Sequence, residues 1–173
     1  ICVNGSRSYA FFHSENRQQK TMREFHPDPI VKINDKVAAE LGINEGEWVW
    51  LENSEGRCRQ KAHLDHTVNP NYVYAEHGWW YPEKDPAFPS LFGMWDVNIN
   101  NLTASYETGP GGIGCPFKSI VCKVYKCTPE NMEPSPSKVM CEQGGFRNDY
   151  VAGEPYSYGQ DVTWQELMKR GEE

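Results

Sequence analysis

The stretch His13-Ser14-Glu15-Asn16-Arg17-Gln18-Gln19 carries an imidazole, a hydroxyl, three primary amides and a guanidinium in almost unbroken succession. Such a run supplies donors, acceptors and a fixed positive charge. It suits noncovalent recognition of a polar, anionic ligand better than bond-making chemistry. Lys118 follows a segment, residues 109–114, that holds four glycines, and glycine lets backbone approach a ligand closely. Loop 13–19 and Lys118 are therefore expected to line one anion-accepting cleft at the same end of the fold. Asn100 and Asn101 are further amide candidates, with helix capping as their alternative. Asn101-Leu-Thr103 also fits the N-glycosylation sequon, a pattern common by chance.

Other candidate chemistry is weaker. His63 and His66 stand three apart without a third ligand nearby, so they read as a surface pair and not a metal site. The six cysteines, at 2, 58, 115, 122, 127 and 141, contain no Cys-x-x-Cys spacing. They read as reduced, mostly buried thiols, with a tail disulfide or a metal site as alternatives. No Ser-His-Asp order, Walker loop, dinucleotide-fold glycine fingerprint or pair of catalytic carboxylates is present.

The elements that must position these groups are short. Residues 8–12 are aromatic and read as a strand running into a polar loop, 13–28, whose length and polarity suit a functional loop. Residues 30–33 read as a second strand. Asn34 is placed to cap a helix over 35–41, and Gly42 to stop it. Residues 47–52 alternate like a half-buried strand and pair through a turn at 54–56 with a strand over 57–64. Residues 72–75 and 120–125 complete the strands, with one helical turn over 102–106 between them. Cys122 and Cys127, five apart on that last strand, fall on opposite faces. Several short strands, one small helix and long loops predict a mainly β, closed or nearly closed barrel, which removes exposed sheet edges. From residue 128 the character changes to Pro- and Gly-rich, ending in a short helix opened by the capping pattern Thr163-Trp-Gln-Glu166. The division expected is a barrel domain over 1–127 and a C-terminal extension over 128–173.

Composition bounds the function. At 173 residues the chain is long enough for one domain that buries about two thirds of its unfolded surface. A net charge of −7 argues against nucleic acid or an anionic membrane surface as partner, although a local cationic pocket is compatible with it. The longest apolar run, near residue 120, is far short of the roughly 20 residues that span a bilayer. Ile1 is no natural initiator, so the chain is expected to be a piece of a longer protein, with any targeting signal upstream.

The order of motifs resembles the C-terminal, dinucleotide-binding domain of the molybdenum and tungsten oxidoreductases of the dimethyl sulfoxide reductase family. Asn4-Gly-Ser-Arg7, residues 9–12 and His13-Ser14 resemble that family's strand and cofactor loop. His26-Pro27, Ile33-Asn34 and Ala38-Ala-Glu-Leu-Gly-Ile-Asn-Glu-Gly-Glu-Trp-Val49 resemble its short helix, acidic turn and Val-rich strand, with Gly56 in the following hairpin. Asn100-Asn-Leu-Thr103 and Pro116-Phe-Lys118 resemble its last two cofactor elements. His77, ahead of Gly78-Trp-Trp-Tyr-Pro82, resembles a segment near the family's funnel or pterin, with aromatic core as the alternative. The likeness spans residues 4–126.

This resemblance implies a double-psi β-barrel with one or two short helices, binding one of two molybdopterin guanine dinucleotides whose dithiolenes clamp a Mo or W ion. Arg7, His13, Ser14, Asn16, Arg17, Gln18, Gln19, Asn100, Asn101 and Lys118 are the cofactor-binding candidates it implies. The metal ligand and any iron–sulfur cluster are expected in other regions, so this chain alone is expected to perform no redox step. The implied partners are the remaining domains of the same catalytic subunit and an iron–sulfur electron-transfer subunit. The implied location is a bacterial or archaeal cytoplasm or the periplasmic side of the envelope. Two other functions compete. One is a stand-alone carbohydrate-binding barrel with Trp79, Trp80 and Trp95 as a sugar-stacking platform, a secreted module that would lean on disulfides. In the other, the parent is a non-oxidative hydratase, a transhydroxylase or a dehydroxylase of the same superfamily.

Overall fold

A computed structural model of the chain describes residues 1–87, 90–103 and 118–132. The expected glycine-rich segment 109–114, Cys115, Cys141 and the terminal helix near 163–166 lie outside these residues.

Six strands form one mixed sheet: β1 (Cys2–Ser6), β2 (Ile30–Ile33), β3 (Trp48–Glu52), β4 (Arg57–Leu64), β5 (Val73–Glu76) and β6 (Lys123–Lys126). Their order is β1-β5-β2-β4-β3-β6. β1 runs parallel to β5 and β2 parallel to β4, while the β2–β5, β3–β4 and β3–β6 pairs are antiparallel. Cys2 exchanges backbone hydrogen bonds with Ile120, just ahead of β6. The first strand of the sheet is thus tied to the segment leading into the last. This near-closure is the barrel expected, and it covers edges that would otherwise present unpaired backbone.

The core inside the sheet comes from one face of β1 to β5: Cys2, Val31, Ile33, Val49, Leu51, Cys58, Ala62, Val73 and Ala75, closed by Ile99, Leu102 and Ile120, with Val124 of β6 packed against it half-buried. Each fully buried Val, Ile or Leu contributes about 1.5–3 kcal/mol. A second cluster of Phe11, Trp79, Tyr81 and Val97 forms outside the sheet, and it anchors the loop after β1.

Three helices of four to six residues fill the connections: α1 (Lys20–Phe25), α2 (Asp35–Glu40) and α3 (Met94–Val97). α2 follows its sequence signals. Asn34 Oδ1 accepts from the backbone N–H groups of Lys36 and Val37, its amide donates to Val68 O at 2.8 Å, and Gly42 has φ +66°.

Several expectations differ. The first strand lies at Cys2–Ser6 and not at 8–12, because register with β5 selects it. Tyr9 is left fully exposed while Phe11 turns into the second cluster. The polar loop 13–28 contains α1. β3 is not half-buried: Val49 and Leu51 face the core, and Trp50 on the other face is covered by Arg57 at 4.3 Å and donates its indole N–H to Asn131 Oδ1. A 3-10 turn lies over Ile99–Leu102, started by Asn98 Oδ1 accepting from Asn100 N, while most of the turn expected at 102–106 lies outside the described residues. β6 is short, so Cys122 and Cys127 flank it instead of facing apart on it.

Candidate functional site at the end of strand β1

The C-terminal end of β1 gathers the candidate groups. Gly5 has φ +104°, a conformation that suits glycine, and a Cβ there would stand 2.6 Å from Lys118 Nζ. Lys118 uses that space to donate to Asn4 O at 2.6 Å. Asn4 is buried, and its amide donates to Asn100 Oδ1 at 3.0 Å. Lys118 and Asn100 therefore meet at one residue of β1.

The other side of this end is built by loop 13–19 and the segment after β5. His13 Nδ1 lies 2.7 Å from His77 Nε2, and His77 Nδ1 lies 3.4 Å from Ser6 O. Trp80 donates its indole N–H to Ser14 O at 2.8 Å. Gly78 has φ +67°, and a Cβ on it would come within 2.9 Å of Ser14 Cβ. His13 and Asn16 themselves hold positive φ, 51° and 65°. Non-glycine residues in that region cost about 1–3 kcal/mol each and persist where their surroundings impose them. Here the imposition is visible: Arg17 Nη2 donates to His13 O at 2.9 Å and to His77 O at 3.4 Å, clasping the loop to the β5 exit.

Arg17 is the most informative side chain. It is buried, with its guanidinium carbon 4.3 Å from the Phe11 ring centroid and 4.0 Å from that of Trp79. Burial lowers its pKa to about 10, with the Glu76 carboxylate opposing the shift. Glu76 is buried too, accepting from Trp79 Nε1 at 2.8 Å, from Ile30 N at 3.2 Å and facing His26 Nε2 at 2.8 Å. Arg17 Nε and Nη1 and Asn4 Oδ1 are buried without a hydrogen-bond partner among the described residues. An unpaired buried polar group costs about 1–3 kcal/mol, and a charged one more. Those atoms lie below the surface, and the exposed Ser14, Asn100 and Lys118 at the same end present the donors and acceptors that fit a ligand with anionic oxygens and amide-like groups.

The remaining candidates divide by exposure. Arg7, Ser14, Gln18, Gln19, Asn100 and Lys118 are exposed, and His13 and Asn16 half-buried. Arg17 and Asn101 are turned inward; the Asn101 amide donates to Trp95 O at 2.9 Å and Met94 O at 3.3 Å. That bonding turns the sequon nitrogen away from the surface of the folded chain. A cavity of about 460 Å³ opens beside Gly5, Ser6 and Lys118 on the outer face of β1, β5 and β2, floored by Val3 and Tyr74 and flanked by Lys32 and Asp65. Its volume lies within the range of small-molecule sites. Lys32 and Lys118 in its wall supply local positive charge, opposed by Asp65, to a chain of net −7. Sequence reasoning did not connect His77 to His13, and their pairing across 64 residues has no local signal.

Trp79 is completely buried under Arg17 and Trp80 packs edge-on against Phe92, so Trp79, Trp80 and Trp95 do not form a sugar-stacking platform. Cys2, Cys58, Cys122 and Cys127 are free thiols. His63 pairs with Glu45 at 2.9 Å, and no group of three metal-ligating side chains occurs among the described residues. Among them also, no helix is long and apolar enough to cross a membrane.

The sequence profile of the molydopterin dinucleotide binding domain matches residues 1–121. Dopamine dehydroxylase of Eggerthella lenta is 38% identical over 154 residues, 88% of this chain and 15% of that protein. Acetylene hydratase of Syntrophotalea acetylenica is 32% identical over 131 residues, 73% of this chain and 18% of that protein. The solved structure of acetylene hydratase from Pelobacter acetylenicus superposes with a TM-score of 0.67 at 28% identity, over 73% of this chain and 18% of that one. The chain thus spans less than a fifth of the length of these relatives. The chain belongs to the molydopterin dinucleotide-binding domain family, among the molybdoenzymes of the dimethyl sulfoxide reductase family.

Proposed function

We propose that this chain is the C-terminal domain of a molybdoenzyme catalytic subunit and holds one of two molybdopterin guanine dinucleotides. The observation that carries this reading is the convergence of Lys118, Asn100 and loop 13–19 on the end of β1, beside orphaned atoms of Arg17 and Asn4. Lys118 and Arg7 offer cationic hydrogen bonds to phosphate oxygens or to a pterin carbonyl. His13, Ser14, Asn16, Gln18, Gln19 and Asn100 offer the neutral donors and acceptors that a pterin or guanine edge requires. Arg17 and Asn101 act from beneath, holding the loop and the 3-10 turn in place. When bound, the cofactor supplies a Mo or W centre for redox or hydration chemistry, and its other metal ligand and any iron–sulfur cluster belong to further domains. An iron–sulfur electron-transfer subunit is the partner this reading implies.

The parent reaction on this reading is a reductive dehydroxylation. The alignment with dopamine dehydroxylase covers 88% of the chain, so it runs past the barrel domain, 1–127, into the extension, 128–173. A hydratase is the second reading, favoured by the likeness to acetylene hydratase in both sequence and structure. The test is to purify the complete subunit, release its nucleotide with acid and measure metal. Guanine nucleotide at about two per metal supports the assignment, and a metal-free, nucleotide-free subunit contradicts it. Electron consumption during turnover then separates dehydroxylase from hydratase.

A further inference from the structure

The two histidines at the end of β1 fix each other's protons. Ser6 O can only accept, so the His77 nitrogen facing it, Nδ1, carries the proton. Burial, chiefly, lowers the His77 pKa below the ordinary imidazole value, with the Ser6 hydrogen bond opposing and the Arg7 and Arg17 guanidinium groups adding to the shift, which favours the neutral ring. A neutral imidazole with its proton on Nδ1 has a lone pair on Nε2. The 2.7 Å contact between that Nε2 and His13 Nδ1 needs one proton between them, so His13 Nδ1 must donate it. This leaves Nε2 as the one ring nitrogen of His13 without a partner among the described residues, and in neutral His13 that atom is a bare acceptor.

We infer that His77 is a positioning residue that locks His13 in its Nδ1–H tautomer, so that His13 Nε2 presents an acceptor to a ring N–H of the bound heterocycle. The ligand half of this statement rests on the cofactor reading above; the lock does not. The surroundings are arranged to hold the pair. Arg17 Nη2 bridges the backbone carbonyls of both histidines, His13 is held at φ 51°, and the two rings meet edge to face with centroids 4.9 Å apart. The Phe12 ring also meets His13 edge to face, with centroids 4.3 Å apart, and Arg7 lies over Phe12. Without its partner a neutral imidazole exchanges between tautomers, and a ligand N–H would meet a donor for part of the time.

The test uses the ¹⁵N-labelled 173-residue chain without cofactor, above the pH at which its histidines are charged. Long-range ¹H–¹⁵N spectra should show His13 with a protonated Nδ1 and an unprotonated Nε2, and a scalar coupling across the hydrogen bond to His77 Nε2. His77→Gln, which places an amide oxygen near the lost Nε2, should keep the His13 pattern, and His77→Phe should mix or reverse it. His13 protonated on Nε2 in the unmodified chain overturns the lock, as does a His77→Phe chain with the pattern unchanged. Addition of biopterin should then move His13 Nε2 in the unmodified and His77→Gln chains. An intact lock with no biopterin response at saturating concentration overturns the ligand half alone and counts against loop 13–19 as a pterin site.

Discussion

Lys118 Nζ donates to the backbone carbonyl of Asn4 across 114 residues of sequence, and it occupies the space a Cβ on Gly5 would need. The pair couples a glycine requirement to a candidate phosphate-binding cation. Gly5→Ala must adopt φ +104° and push Lys118 aside. A loss of about 1–3 kcal/mol in urea unfolding is expected from the backbone conformation. In a Lys118→Ala background the steric part disappears and the backbone part stays. Equal stability of Gly5→Ala and the parent chain would contradict this account of β1.

Lys118→Ala in the cofactor-loaded subunit should lose one charge-assisted hydrogen bond, about 1.5–3 kcal/mol, or roughly ten- to a hundredfold in cofactor retention. Metal and guanine content of the purified variant measure it. Unchanged content would remove Lys118 from the site.

Gly42 ends α2 at φ +66°, and a Cβ there would meet no heavy atom within 4 Å, so its requirement is conformational and not steric. Gly42→Val should destabilise the chain by about 1 kcal/mol or more while leaving nucleotide chemistry alone. Selective loss of cofactor at unchanged stability would assign α2 a role its contacts do not suggest.

Acid should weaken the β3–β6 connection through Glu47. Its carboxylate accepts from Lys126 at 2.6 Å and from Asn44 N at 2.8 Å, and these bonds, the Lys126 one first, lower its pKa from 4.5 to about 2. The folded value lies below the unfolded one. The stabilisation is therefore complete above about pH 4.5 and is lost as pH falls toward 2. Glu47→Gln should show a shallower decline of stability across that window than the parent chain. Identical acid profiles would refute the assignment.

What the sequence made legible was local. Asn34 and Gly42 flank α2 within a few residues of each other, and their chemistry specifies a helix without help from the rest of the fold. The β3–β4 hairpin is local in the same way. β1 is not, because its partner is β5, some seventy residues on, and the aromatic stretch 9–12 had the stronger strand composition. Trp50 broke the alternation in β3 because Arg57, from the neighbouring strand, and Asn131, from beyond β6, together cover its outer face. Within the site, exposed groups such as Ser14 and Lys118 were readable from residue type, whereas the burial of Arg17 between Phe11 and Trp79 required two segments some sixty residues apart to meet. The His13–His77 pair was invisible for the same reason.

The central claim is that the end of β1 accepts a guanine dinucleotide, and titrating the labelled chain with GDP and, separately, ADP while following amide shifts tests it most directly. Half a site lacks the contacts of its neighbouring domains and still meets the entropic cost of association, so affinity should be on the order of millimolar to high micromolar. The account predicts saturable shifts with GDP, weaker ones with ADP, confined to residues 4–19 and 98–118. No GDP response, or equal responses to GDP and ADP scattered over the barrel, would contradict it.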